Sequence, residues 1–253
     1  MLSKPSFLTR ITLKHIQRVA SQGVKYIEFY WNWTGLKHFM SYDEARQAIN
    51  EGIRQGLQRY GVVARSIPSI DREDTPEAAV ELVEEMIRHP DQYTIGIGID
   101  YRETNHEPEN FWKAFKMAKD AGFKITIHAG EFGEHWRNVE TAMKLLGADR
   151  IDHGYTIIDS PELVEEAKAA NMHFAVVPTN SYYLRTLSDE EWAIKHPVRK
   201  MVELGLKVFP NSDDPTMHHI SISESWLLMH NWLDFTLPVS YTHLRAHETS
   251  AHL

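Results

Sequence analysis

Short apolar runs alternate with longer amphipathic stretches along the 253 residues. The apolar runs at 24–31, 62–70, 94–100, 123–128, 149–153, 172–178 and 206–211 read as strands, being five to nine residues long and rich in β-branched and aromatic side chains. Between them, apolar positions recur at helical spacing in 11–23, 41–61, 75–90, 109–122, 138–148 and 160–171. A further helix is expected over 188–204, interrupted at Pro197. Local signals mark the ends. Gly23 terminates the first helix, and Ser41 with Glu44 three places on has the form of a capping box. Ser160 caps a helix whose first position is Pro161, where the missing N–H has no helical partner to lose.

Seven strands separated by helices form the βα rhythm of a parallel sheet covered by helices. An open doubly wound sheet and a closed barrel both have this rhythm. A doubly wound dinucleotide fold calls for a Gly-x-Gly-x-x-Gly turn after a strand, whereas GIGID at 96–100 lies inside one and lacks the pattern. The expected fold is therefore an α/β chain of the (β/α)8 TIM-barrel type, the metal-dependent hydrolase kind. One strand is needed beyond the seven, and it is expected before residue 1. The absence of a Gly/Ser-rich linker or low-complexity stretch points to one domain.

Composition narrows the functional classes. Hydrophobic residues make up 42% and charged residues 25%, the balance of an ordinary folded core and surface. A formal net charge of -8 gives no support for nucleic-acid binding, which needs a basic patch. With no cysteine, disulfides, thiolate chemistry, iron–sulfur clusters and Cys-ligated zinc are excluded, and a cytoplasmic setting is the expectation. No apolar run approaches the length of a membrane span, and MLSKPSFLTR lacks the apolar centre of a signal peptide. Fifteen histidines stand out, several beside carboxylates.

The unusual polar strings fall after the ends of strands, where barrel enzymes carry their chemistry. HAGE supplies His128, a nitrogen ligand suited to zinc, and Glu131, a carboxylic acid able to move protons; Gly130 lets the chain turn between them. The structural alternative is a solvent-facing histidine and a helix-starting glutamate. RIDHG offers Asp152 and His153, the latter able to orient and deprotonate a water, or else simply hydrogen-bonded in a loop. NSDDP offers Asp213 and Asp214, one for metal and one for substrate, or else an Asx-type turn before Pro215. Three such strings at equivalent positions favour the functional reading. Glu103 and His106 suit a pocket lip. Tyr30, Trp31 and Trp33 read as core or pocket wall, and His218 and His219 as surface loop.

HAGE, RIDHG and NSDDP occur in the order and spacing of the adenosine/adenine deaminase family, which the chain resembles from about residue 7 to about residue 230. The resemblance implies a (β/α)8 barrel with one Zn2+ and hydrolytic loss of ammonia from C6 of adenine or adenosine, giving hypoxanthine or inosine. His128 and Asp213 are then zinc ligands, Glu131 the proton donor to purine N1, and His153 the residue that orients the attacking water. Asp214, Glu103 and Gly130 line the substrate. Asp152 in RIDHG and the segment GIDYRETNHEPENF favour the adenine branch, whereas VPTNSYYLRT departs from the Cys-Pro-x-Ser-Asn string of both branches. The partner implied is a purine base or nucleoside, with no nucleic acid and no membrane. Other readings are a barrel that binds purines or proteins without catalysis, and a metal-dependent amidohydrolase with another substrate.

The family carries two more zinc-ligating histidines, as His-x-His on its first strand, and no such pair precedes residue 24 here. Two expected ligands are thus absent from these residues, and weak zinc retention is the expectation. At the other end, 1–238 is the expected barrel domain, lacking the family's C-terminal helices. VSYTHLRAHETSAHL, 239–253, resembles adapter read-through, so His243, His247 and His252 receive no function.

Overall fold

The computed structural model describes residues 3–232. The tail 239–253, with His243, His247 and His252, lies outside them. The strand order is the chain order, β1 to β7, and the strand pairings are parallel. This is the βα architecture expected of a (β/α)8 barrel type, with seven strands. Two compact units are distinguished, Met1–Arg102 with Pro108–Thr126, and Glu103–Glu107 with Ile127–Leu253.

The first unit contains β1 (Tyr26–Trp31), β2 (Val63–Asp71), β3 (Gly96–Asp100) and the start of β4 (Lys124–Ala129). Its helices are α1 (Pro5–Ala20), α2 (Tyr42–Tyr60), α3 (Pro76–Arg88) and α4 (Trp112–Asp120). Helix α1 begins six residues before the apolar periodicity does, because Pro5 supplies the φ of a first turn and surrenders no hydrogen bond there. Helix α2 has both halves of the capping box between Ser41 and Glu44, as its sequence predicts. Helix α4 is shorter than expected, its first residues, Pro108–Phe111, forming a separate 3-10 turn. Tyr26 to Trp31 pair in register with Val63 to Pro68, and Ser69 to Asp71 with Gly98 to Asp100. Ile97 and Ile99 are fully buried on β3, and Ile16 and Ile53 are buried on α1 and α2. Those two helices approach so closely at Gly52 that an added Cβ would lie 2.6 Å from Thr12 Cβ.

The second unit contains the end of β4, then β5 (Arg150–His153), β6 (His173–Val176) and β7 (Lys207–Pro210). Its helices are α5 (Arg137–Lys144), α6 (Pro161–Ala169), α7 (Ser181–Thr186), α8 (Asp189–Lys195), α9 (Pro197–Glu203) and α10 (Ile222–Trp232). Ser160 caps α6 through the Leu163 N–H, as its sequence predicts. The single interrupted helix expected over 188–204 is two helices, since Pro197 starts a new one and His196 caps its Val198 N–H. Helices α7 and α10 were not anticipated; α7 is one and a half turns, too short to establish a period. Ile151, Phe174 and Val208 on the strands, with Val164 and Met201 on the helices, are buried in the core. No helix among the described residues is long and apolar enough to cross a membrane.

Candidate active site

The second unit brings together the three strings singled out in the sequence. His128 stands near the end of β4, His153 ends β5, and Asp213 follows β7. Among the described residues, ligand atoms of Glu131, His153 and Asp213 all lie within 4.8 Å of one another. Glu131 and His153 are buried, and Asp213 is partly exposed. His128 lies against this group, its ring centroid 4.8 Å from that of His153, with Nδ1 3.6 Å from Asp152 Oδ2. A carboxylate behind one imidazole nitrogen is the usual arrangement for a histidine whose other nitrogen serves a metal or substrate.

Backbone shape aims two of these side chains. His153 has φ +68° and Asp213 φ +52°, in the left-handed region that residues with a Cβ enter only at a cost. Such strain persists where surrounding structure enforces it, and it concentrates at working sites. An Asx bond from the Asp213 N–H to Asn211 Oδ1, 3.1 Å, holds the turn after β7. The turn reading of NSDDP and the site reading are therefore compatible. At Gly130 the φ of +66° and the packing both require glycine, because a Cβ would lie 2.5 Å from Thr156 Oγ1.

Hydrogen bonds set the chemistry of His153 and Glu131. The Tyr155 hydroxyl donates to Val177 O at 3.1 Å and accepts from Val177 N at 2.9 Å. Its proton is committed, so the contact at 3.3 Å with His153 Nδ1 is donated by the imidazole. His153 Nε2 lies 3.6 Å from Glu131 Oε2, and it carries the lone pair when the ring is neutral. The other oxygen, Glu131 Oε1, accepts from Asn180 Nδ2 at 3.0 Å. A carboxyl and a neutral imidazole so placed can give and take a proton on one reacting molecule. Burial first, and then the adjacent Asp214, push the Asp213 carboxyl up to about 6, against a smaller downward pull from His218.

Other residues occupy places the sequence did not foretell. Glu103 is buried, and its carboxylate accepts from the Gly130 N–H (2.9 Å), the Glu131 N–H (3.0 Å) and Asn138 Nδ2 (2.8 Å). Its bonds run to the HAGE loop, because a buried carboxylate takes the nearest available N–H donors. The Gly130 N–H is spent on the same contact. Asp214 is exposed. His218, expected on a surface loop, is partly buried with Nδ1 3.1 Å from Thr179 O. Asn180, Tyr155 and Asn138 were not singled out; an Asn or Tyr alone carries no chemical signature, and the VPTN departure was the one available sign. The first unit has its own polar group at strand ends. Burial raises the Asp100 carboxyl to about 7, and Asn32 Nδ2 donates to it at 2.8 Å.

Comparison with known proteins follows the same lines. The adenosine deaminase family model matches residues 1–238. The chain belongs to the adenosine deaminase family. Two curated members are adenine deaminases, from Marinomonas sp. at 32% identity over 209 residues and from Rhodospirillum rubrum at 33% over 210, each alignment covering 81% of this chain and 60% of the relative. The chain thus spans about three fifths of the length of these relatives. Among solved structures, a zinc-bound amidohydrolase from Burkhoderia ambifaria superimposes with a TM-score of 0.93 at 48% identity, over 97% of this chain and 67% of that one. These family ties agree with the barrel architecture seen here.

The donor set suits a divalent cation. Imidazole nitrogens with carboxylate oxygens, converging from separate strand ends and without thiolate, are the ligand chemistry that zinc accepts. Ligand atoms of Glu131, His153 and Asp213 converge closely enough for such an ion, with His128 beside them, while the family's His-x-His pair of zinc ligands is not found ahead of residue 24.

Proposed function

We propose that the site serves zinc-dependent hydrolytic deamination of a 6-aminopurine, with adenine as the preferred substrate. The observation that carries this reading is the convergence of Glu131, His153 and Asp213 within 4.8 Å in a chain whose relatives include adenine deaminases. In this reading His128 and Asp213 hold the ion, and Asp214 with the Gly130 turn borders the purine. A zinc ion there would supply the Lewis acidity that makes water a nucleophile near neutral pH.

The protein's own groups then handle the protons. His153 Nε2, with its lone pair directed at the cluster, takes a proton from water as oxygen bonds to C6 of the purine. Glu131 gives its carboxyl proton to N1, so the electron pair displaced from the ring settles on a neutral nitrogen. The saturated C6 then carries both OH and NH2. The protonated His153 passes its proton to the amino group, ammonia leaves, and the C6 hydroxyl proton goes to the Glu131 carboxylate as the carbonyl of the 6-oxopurine forms. One water enters and one ammonia departs, and both catalytic groups return to their starting states.

The test is ammonia release from adenine, adenosine and N6-substituted adenines by zinc-supplied protein that also carries the family's His-x-His pair, compared with Glu131→Gln in the same protein. The variant keeps the acceptor for Asn180 but has no acidic proton. Its turnover should fall about 10²- to 10⁴-fold, the usual contribution of a general acid, with zinc content by elemental analysis unchanged. Equal turnover in parent and variant would overturn the role of Glu131. Purine binding by the parent with no ammonia release would overturn the catalytic reading in favour of a purine-binding barrel.

A further inference from the structure

We propose that Glu103 and Asn180 are positioning residues which together hold the Glu131 carboxyl, Glu103 through the backbone and Asn180 through Oε1. This rests on the reading of Glu131 as proton donor, and neither residue is asked to touch the purine.

The backbone half is a carboxylate clamp. Glu103 lies 27 residues before Gly130, on the segment after β3, and is 3% exposed. A carboxylate so buried is tolerated only if donors surround it. Here the positive φ of Gly130 turns two successive N–H groups to one side, and each oxygen of Glu103 takes one of them. Successive N–H groups arranged this way form a small anion-binding concavity. Asn138 on α5 adds a third bond, and Thr104 Oγ1 donates to Glu134 Oε1 at 2.7 Å, a second tie between the same loops. The segment that presents Glu103 is itself held in costly backbone, with Tyr101 at φ +68° and Asn105 at +62°.

The side-chain half fixes which oxygen faces the site. Asn180 is 1% exposed and caps α7, its Oδ1 accepting from the Tyr182 N–H at 3.0 Å. That bond settles the orientation of the amide, so its Nδ2 is the atom that donates to Glu131 Oε1. With Oε1 held, Oε2 is the oxygen 3.6 Å from His153. The backbone N–H of Glu131 is held by Glu103 while its carboxyl is held by Asn180, which leaves the side chain little freedom to swing.

Glu103→Gln tests the clamp. The side chain keeps its size, but one acceptor oxygen becomes an NH2 group facing an N–H donor. Backbone hydrogen exchange at Gly130 and Glu131 should accelerate about tenfold or more, as the loss of a charge-assisted hydrogen bond implies. Exchange rates at those two amides equal to the parent's would overturn the proposal, whether or not the protein deaminates purines. For turnover, Glu103→Gln should lower kcat about 10- to 100-fold with KM little changed, the cost of a misplaced catalytic group. Asn180→Asp retains the cap on Tyr182 but removes the donor to Glu131. Its effect on kcat should vanish when Glu131 is already Gln, as expected of a residue acting through another. An Asn180→Asp loss of the same size in both backgrounds would overturn its positioning role.

Discussion

His196 makes the stability of the second unit depend on acidity in a calculable way. The residue is 1% exposed, and its ring lies among those of Tyr155, Tyr183 and Trp192 at centroid distances of 5.6, 5.1 and 5.3 Å. Its Nδ1 accepts from the Val198 N–H, so the neutral ring carries its proton on Nε2. Burial lowers its pKa to about 3 from the ordinary 6.5. A base harder to protonate in the folded chain than in the unfolded one destabilises the fold as pH falls from about 6.5 towards 3. The slope reaches about 1.4 kcal/mol per pH unit, and the loss between pH 7 and pH 4 comes to about 3 kcal/mol. The perturbation to compare is His196→Asn, which still caps the helix through an acceptor oxygen but does not titrate. Urea unfolding followed by far-UV circular dichroism at pH 7 and pH 4 gives the four stabilities required. The variant starts lower, having lost a packed ring, yet loses about 3 kcal/mol less than the parent on acidification. Equal losses in the two proteins would show that His196 does not resist protonation and would refute the reasoning.

Two further substitutions probe close backbone approaches. Gly130→Ala combines a left-handed φ with a Cβ 2.5 Å from Thr156 Oγ1 and 2.8 Å from Val139 Cγ2. Thermal melting should show a loss of about 2–4 kcal/mol, the sum of backbone strain and overpacking. Gly52→Ala gains about 1 kcal/mol of helix propensity, but its Cβ meets Thr12 Cβ at 2.6 Å and Thr9 O at 2.9 Å. Overpacking of about 1–3 kcal/mol should exceed that gain, and a raised melting temperature would mean that α1 can move aside.

The elements were legible in the sequence where periodicity was long or capping chemistry explicit. The seven strand runs all overlap observed strands, and Ser41–Glu44 and Ser160 cap the helices they were expected to cap. Short pieces were not legible: α7 is six residues, and Pro197 divides what reads as one helix into two. At the site, the residue strings showed which groups gather after the strands. They could not show which bonds those groups make. Glu103 has the placement of a pocket-lip carboxylate, and only folding reveals that the turn at Gly130 presents it with two N–H groups. Likewise Tyr155 reads as an ordinary core aromatic until its hydroxyl is found on Val177 and His153.

The Glu103 clamp has a consequence for how such a chain can vary. Surface loops between strands and helices are ordinarily the segments most tolerant of insertion and deletion. Here the segment after β3 and the turn after β4 are fastened to each other by a side chain of one and the peptide groups of the other. A residue inserted near position 103 would pull the carboxylate away from Gly130 and Glu131 without touching either. The two loops must therefore drift together, and compensating changes at 103, 130 and 138 are what a library of functional variants should contain.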